Sequence, residues 1–142
     1  MSVVAEVIRR DLLLSTDRSK NVLTVWSGIN DIGGGATGAA TYTLIANYCT
    51  AAKLAGWTVV VCTLPSCDPA GWSVGKTAER LALNTLLRAD HSWSDGLADL
   101  DGDPRLQSPT DTTYFDADRI HLTDAGYAVV AGIVSSVVQP LL

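Results

Sequence analysis

The chain has 142 residues, of which 47% are hydrophobic and 18% charged, with a formal net charge of −5. That length makes one domain with a substantial core, and the composition excludes a disordered chain. Residues 90–124 carry nine aspartates against Arg105 and Arg119, a field that repels polyanions and argues against nucleic acid as a partner.

The start, MSVVAEVIRR, places Val3, Val4, Val7, Ile8 and Leu12 at helical spacing, which predicts a helix over residues 2–14. It has no basic region ahead of a long apolar core, so it is not a signal peptide. The chain as written reads as cytoplasmic, although an exported parent that had lost its leader would read the same. After a polar loop, Val22–Trp26 is a short β-branched run and predicts a buried strand. The glycines of GGGATG predict a loop. Leu44, Ile45, Tyr48, Cys49 and Ala52 then mark one face of a second helix, with Gly56 as its C-terminal stop.

TVVVCTL, residues 58–64, predicts the next strand, ended by Pro65. Leu83, Leu86 and Leu87 belong to a helix over 75–89, and GLADL, 96–100, is a weaker strand. An aspartate-rich loop follows. Thr123 is then placed to N-cap a last helix with Val130, Ile133, Val134, Val137 and Val138 facing inward. The apolar stretch Gly126–Val138 is too short and too rich in serine to predict a membrane span. The alternation α-β-α-β-α-β-α implies a parallel sheet covered by helices on both faces. Three strands are few for such a sheet, and a helix stands where a first strand is expected.

Two motifs fail on inspection. Gly33, Gly35 and Gly38 satisfy GxGxxG, but six residues separate Trp26 from Gly33. No acidic residue occurs between Ile32 and Cys67 to hold a ribose, so no dinucleotide is implied. DLDGD, Asp99–Asp103, hints at a calcium loop, yet its glycine is misplaced and its twelfth position is Thr110 rather than a bidentate glutamate. A solvated acidic turn is the better reading. Cys49, Cys62 and Cys67 lack the paired spacing of a zinc site. Cys49 and Cys62 read as buried free thiols, with a Cys62–Cys67 bridge as the lesser alternative. No metal or cofactor is implied.

What remains is SGIND, Ser27–Asp31, at the end of the first predicted strand, and Asp118-Arg-Ile-His121 just before the last helix. A histidine three residues after an aspartate can have its ring fixed by that carboxylate, leaving one ring nitrogen basic, as acyl transfer requires. The plain alternative is a surface aspartate and an incidental histidine. For Asn30 it is an Asx-turn capping the loop. Both segments fall at the C-terminal side of the predicted sheet, where open α/β folds gather ligands.

GIND together with DRIHLTDAGYAVVA resembles the SGNH (GDSL-type) hydrolases, and the spacer between them agrees over nearly the whole chain. The resemblance implies a flavodoxin-like three-layer sandwich and hydrolysis of ester bonds in a small-molecule or carbohydrate substrate. It implies Asn30 as oxyanion donor, His121 as general base and Asp118 as the residue that orients it, with Gly28 and Asp31 supporting the first motif. The family's first block, a strand leading to a Gly-Asp-Ser nucleophile, has no counterpart. Ser2, Ser15 and Ser19 lie in or beside the first predicted helix, and Ser27 adjoins the oxyanion motif, so no nucleophile is identified.

The chain therefore reads as the family's last three βα units without its first two strands, and as inactive alone. The alternatives are a non-catalytic module that binds a carbohydrate or ester, and a structural half-domain completed by another chain. In the family's strand order 2-1-3-4-5 the Val22–Trp26 strand would become an open edge. That predicts edge-to-edge self-association, marginal folding or aggregation.

Overall fold

The run TVVVC has no polar face to present to water, so it requires cover on both sides. The computed structural model, which describes Leu13, Ser15 and residues 20–142, supplies that cover. The expected helix over 2–14 lies outside the described residues, apart from Leu13, which sits in a turn. The described chain runs through strand β1 (Val22–Val25), a short helix α1 (Ile29–Gly33), helix α2 (Gly38–Leu54), strand β2 (Thr58–Cys62), helix α3 (Val74–Ala89) and strand β3 (Gly96–Ala98). Two 3-10 turns follow, Leu100–Gly102 and Pro104–Leu106, and then helix α4 (Asp124–Val138), extended by a 3-10 turn over Gln139–Leu141.

The strands lie in the order β1-β2-β3 and are all parallel, with Val22 opposite Thr58 and Val60 opposite Gly96. Side chains alternate along β2. Val59 and Val61 pack with Ile45 and Cys49 of α2 and with Leu83 and Leu87 of α3. Val60 and Cys62 pack on the other face with Val129 and Val130 of α4, Phe115 and Leu122. The result is the expected three-layer α/β sandwich of flavodoxin-like type. Among the described residues the sheet has three strands, and β1 has β2 as its single neighbour.

Each long helix starts where a hydroxyl can satisfy its first free N–H groups. Thr37 accepts from Ala40 N, Ser73 from Lys76 N, and Thr123 from Gly126 N. The stop of α2 is equally local. Gly56 adopts φ +99°, so that its own N–H reaches Lys53 O and that of Trp57 reaches Ala52 O. In α4 the inward stripe is Gly126, Val129, Val130, Ile133, Val134, Val137 and Val138, while the outward face, Tyr127 apart, holds small or polar residues. The segment Asp124–Leu141 reaches 18 residues with a mean hydropathy of 1.2. By length and composition alone it could cross a membrane, which Gly126–Val138 taken by itself did not suggest. In this fold its apolar stripe faces the sheet.

Several expected boundaries move, each for a physical reason. Trp26 leaves the β1 ladder and is partly exposed. The glycine-rich loop is shorter than expected, because Gly33 closes α1 and Gly38 opens α2. A Cβ on Gly38 would lie 2.4 Å from Glu79 O and 2.7 Å from Leu83 N, so this glycine lets α2 and α3 touch backbone to side. All three cysteines are buried, and none is in a disulfide among the described residues. Burial pushes the Cys62 thiol up to about 12 and that of Cys67 up to about 11.

β2 stops at Cys62, short of Leu64, because Leu64 is held by side chains rather than by a strand. Asn84 Oδ1 accepts Leu64 N (2.8 Å), Asn84 Nδ2 donates to Leu64 O (2.8 Å), and Arg80 Nη1 donates to the same carbonyl (2.7 Å). Asn84 thus does for Leu64 what a neighbouring strand would do. Arg80, itself buried, pairs with Asp101 at 2.5 Å, and Arg88 bridges Asp101 and Asp99. The DLDGD segment is therefore not a solvated turn: Asp101 is buried, and its carboxylate and that of Asp99 are committed to arginines. This also ends β3 at Ala98, because Leu100–Gly102 must turn to bring Asp101 to Arg80.

Replacing Asn84 by Ala strands the buried Leu64 N–H. The expected cost is about 1–3 kcal/mol of unfolding free energy, read from urea denaturation. An unchanged midpoint would show that the amide grip is not needed.

Candidate active site

Because the strands are parallel, the segments after β1 and β2 leave the same end of the sheet. The segment after β1 turns at Gly28, whose φ of +120° is a conformation other residues rarely adopt. A Cβ there would lie 2.9 Å from Thr41 Cγ2 and 3.1 Å from Leu83 Cδ2. Gly28 O accepts the N–H of Ile32, which opens α1 directly after the turn. Asn30 therefore rides in the first turn of a short helix rather than in an extended loop or an Asx-turn. It is exposed, and its side-chain amide makes no hydrogen bond among the described residues. Buried Ile32 anchors the helix from below. Asp31 points to solvent, outside the pocket described next.

The second segment is the loop before α4. Phe115 and Leu122, both buried, form an antiparallel bridge that closes it, and Asp116 N donates to His121 O (2.9 Å). Inside the loop the Asp118 carboxylate organises everything. Its Oδ1 accepts Ile120 N (3.0 Å) and His121 N (2.9 Å), and its Oδ2 lies 2.5 Å from His121 Nδ1. These three contacts, the imidazole first, hold the Asp118 carboxyl down at about 2. An ionised carboxylate can only accept, so in neutral His121 the proton sits on Nδ1 and Nε2 keeps its lone pair. The same contact, with the charges of Asp118 and Asp116, raises the His121 pKa above its usual 6.5. The ring is 68% exposed on its side chain, so Nε2 is open to a ligand.

Arg119 carries the strain in this loop. It is the one non-glycine residue with positive φ among the described residues, at +60°, a conformation that costs an L-residue roughly 1–2 kcal/mol. Its carbonyl accepts Asp68 N (2.9 Å) and its Nη1 donates to Asp68 Oδ2 (3.1 Å).

The two segments meet across a pocket of about 260 Å³. Asn30 and His121 both line it, and Leu64–Cys67, the segment gripped by Asn84 and Arg80, forms a wall. Trp26 and Tyr127 also line it, edge to face with centroids 6.4 Å apart. Ser27 and Ser66 line the pocket too, but among the described residues no hydroxyl hydrogen-bonds the His121 ring. The wall and the aromatic pair had no signature in the sequence beyond Pro65 ending a strand and a tyrosine one turn into α4.

Asparagine at position 118 would keep the shape while removing the charge that raises the histidine. The Asp118→Asn variant is expected to lower the His121 titration midpoint toward 6.5, as followed by the ring's proton NMR resonances. A midpoint that stays put would mean the carboxylate does not govern the ring.

A family model described as GDSL-like lipase/acylhydrolase matches residues 3–129. No curated protein matches the chain.

Proposed function

Since the chain belongs to the GDSL-like lipase/acylhydrolase family, we propose that this pocket is an acyl-transfer site for small esters, with His121, Asp118 and Asn30 as its working groups. The observation that carries the reading is the 2.5 Å contact between Asp118 Oδ2 and His121 Nδ1 on a ring that opens into the same pocket as Asn30. In the reaction, a nucleophile's hydroxyl loses its proton to His121 Nε2 as its oxygen attacks the ester carbonyl. Asp118 holds the ring in the tautomer that can take that proton and stabilises the imidazolium that results. Asn30 Nδ2 donates to the oxyanion of the tetrahedral intermediate, a contribution of about 3–4 kcal/mol to the barrier. His121 then returns the proton to the leaving alcohol, and water resolves the acyl intermediate by the same path in reverse.

The pocket's walls narrow the substrate. Trp26, Ile29, Leu64, Pro65, Ile120 and Leu122 are apolar, and among the described residues no lysine, arginine, aspartate or glutamate lines it. Its volume of about 260 Å³ lies below the roughly 300–1,000 Å³ of drug-sized sites. An uncharged, small acyl group fits both facts.

The nucleophile is the part that the described residues do not place. Ser27 and Ser66 border the pocket without engaging His121, which favours a second reading: a site that binds an ester and does not turn it over. In either reading, water-dependent hydrolysis by this chain alone is expected to be negligible. An external nucleophile separates them. With hydroxylamine and a nitrophenyl butyrate, the acyl-transfer reading expects saturable hydroxamate formation, reduced about 10²–10³-fold by Asn30→Ala and abolished by His121→Ala. The rate should rise with pH through the raised His121 midpoint, because only neutral Nε2 accepts a proton. Saturable ester binding without transfer would establish the binding reading instead. Transfer equal in all three proteins would end the assignment, and hydrolysis lost in Ser66→Ala would place the nucleophile there.

A further inference from the structure

We propose that Arg119 is a positioning residue that locks the His121 loop to the opposite wall of the pocket through Asp68. The inference rests on the acyl-transfer reading only for its consequence; the geometry stands without it. Asp68 directly follows Leu64–Cys67, the wall of the pocket, and Arg119 lies between the two residues of the Asp118–His121 pair. Arg119 meets Asp68 twice, once through its backbone carbonyl at 2.9 Å and once through its guanidinium at 3.1 Å. Two contacts of different kinds between the same residues fix both the separation and the relative rotation of the two segments.

The conformation of Arg119 shows which way the constraint runs. Positive φ favours glycine, yet this position holds a long cationic side chain that is half exposed. Nothing apolar is gained by burying it. Within the described residues its guanidinium has one partner, and that partner belongs to the wall. An exposed ion pair adds little to global stability. It does oppose separation of the two segments, and so sets the width of the cleft in which His121 Nε2 faces a ligand. Among the described residues the charged groups acting on the ring are Asp118 and Asp116 on its own loop, with Asp68 reached through Arg119.

Arg119→Gly separates positioning from bulk stability. Glycine relieves the backbone and keeps the carbonyl contact, while the guanidinium contact is lost. The melting temperature is expected to hold or rise. Amide exchange at Asp68, Ile120 and His121 is expected to quicken about two- to fivefold, in line with the strength of an exposed pair. The His121 NMR midpoint is expected to fall, because a looser loop weakens the Asp118 contact. That sign is diagnostic, since removing a nearby cation would by itself raise the midpoint.

The double variant Arg119→Asp with Asp68→Arg re-forms the pair with its charges exchanged, and should restore exchange rates close to wild type. A raised midpoint with unchanged exchange in Arg119→Gly would overturn the proposal, and so would a lowered melting temperature with an unmoved midpoint. None of these readouts needs turnover, so failure of the hydrolase reading would leave this test intact, and failure here would leave that reading to its own assay.

Discussion

The described strands all point the same way, so at one end of the sheet the chain repeatedly runs out of ladder partners and must satisfy its backbone by other means. The solutions differ at each exit. After β1, Gly28 turns the chain and its carbonyl accepts the N–H of Ile32 in α1. After β2, the Asn84 amide takes both backbone groups of Leu64. Before α4, the Asp118 carboxylate gathers two backbone N–H groups and a ring nitrogen. The candidate site is built from these local repairs. Asn30 stands on the first, the pocket wall on the second and His121 on the third.

The polar network beneath the wall follows from the same constraint. A backbone carbonyl that leaves the sheet while still buried needs a strong donor, and Arg80 provides one. A buried arginine in turn needs a carboxylate. That draws Asp101 inward and leaves Arg88 to balance Asp101 and Asp99. Removing one partner of such a pair leaves an uncompensated buried charge, so the network is costly to break even where it adds little to stability as a whole. The local excess of aspartates thus has a structural share as well as a surface one.

Much of this was legible in the sequence because it depends on neighbours in the chain. Short apolar, β-branched runs located β1 and β2, helical spacing of apolar residues located α2, α3 and α4, and Thr123 was recognisable as a cap because its target lies three residues away. Asp118 and His121 were legible for the same reason: their contact is a matter of local spacing. What escaped depends on residues far apart in sequence. Arg80, Asn84 and Asp101 find each other, or Leu64, across 16 to 21 residues. A polar residue on the inward face of α3 carries no local sign of which backbone it serves. The helical setting of Asn30 was hidden by the glycines after it, which argued for a loop. The conformation of Arg119 was hidden because nothing in its side chain announces positive φ.

On the proposed reading Asp118 fixes the tautomer of His121, so that a basic Nε2 faces the pocket that Asn30 lines. Nitrogen-15 NMR of the imidazole, recorded above the ring's raised midpoint, reads that tautomer. Neutral His121 is expected to carry its proton on Nδ1, with Nε2 resonating as an unprotonated ring nitrogen. A neutral ring protonated on Nε2, or a rapid average of the two tautomers, would contradict it.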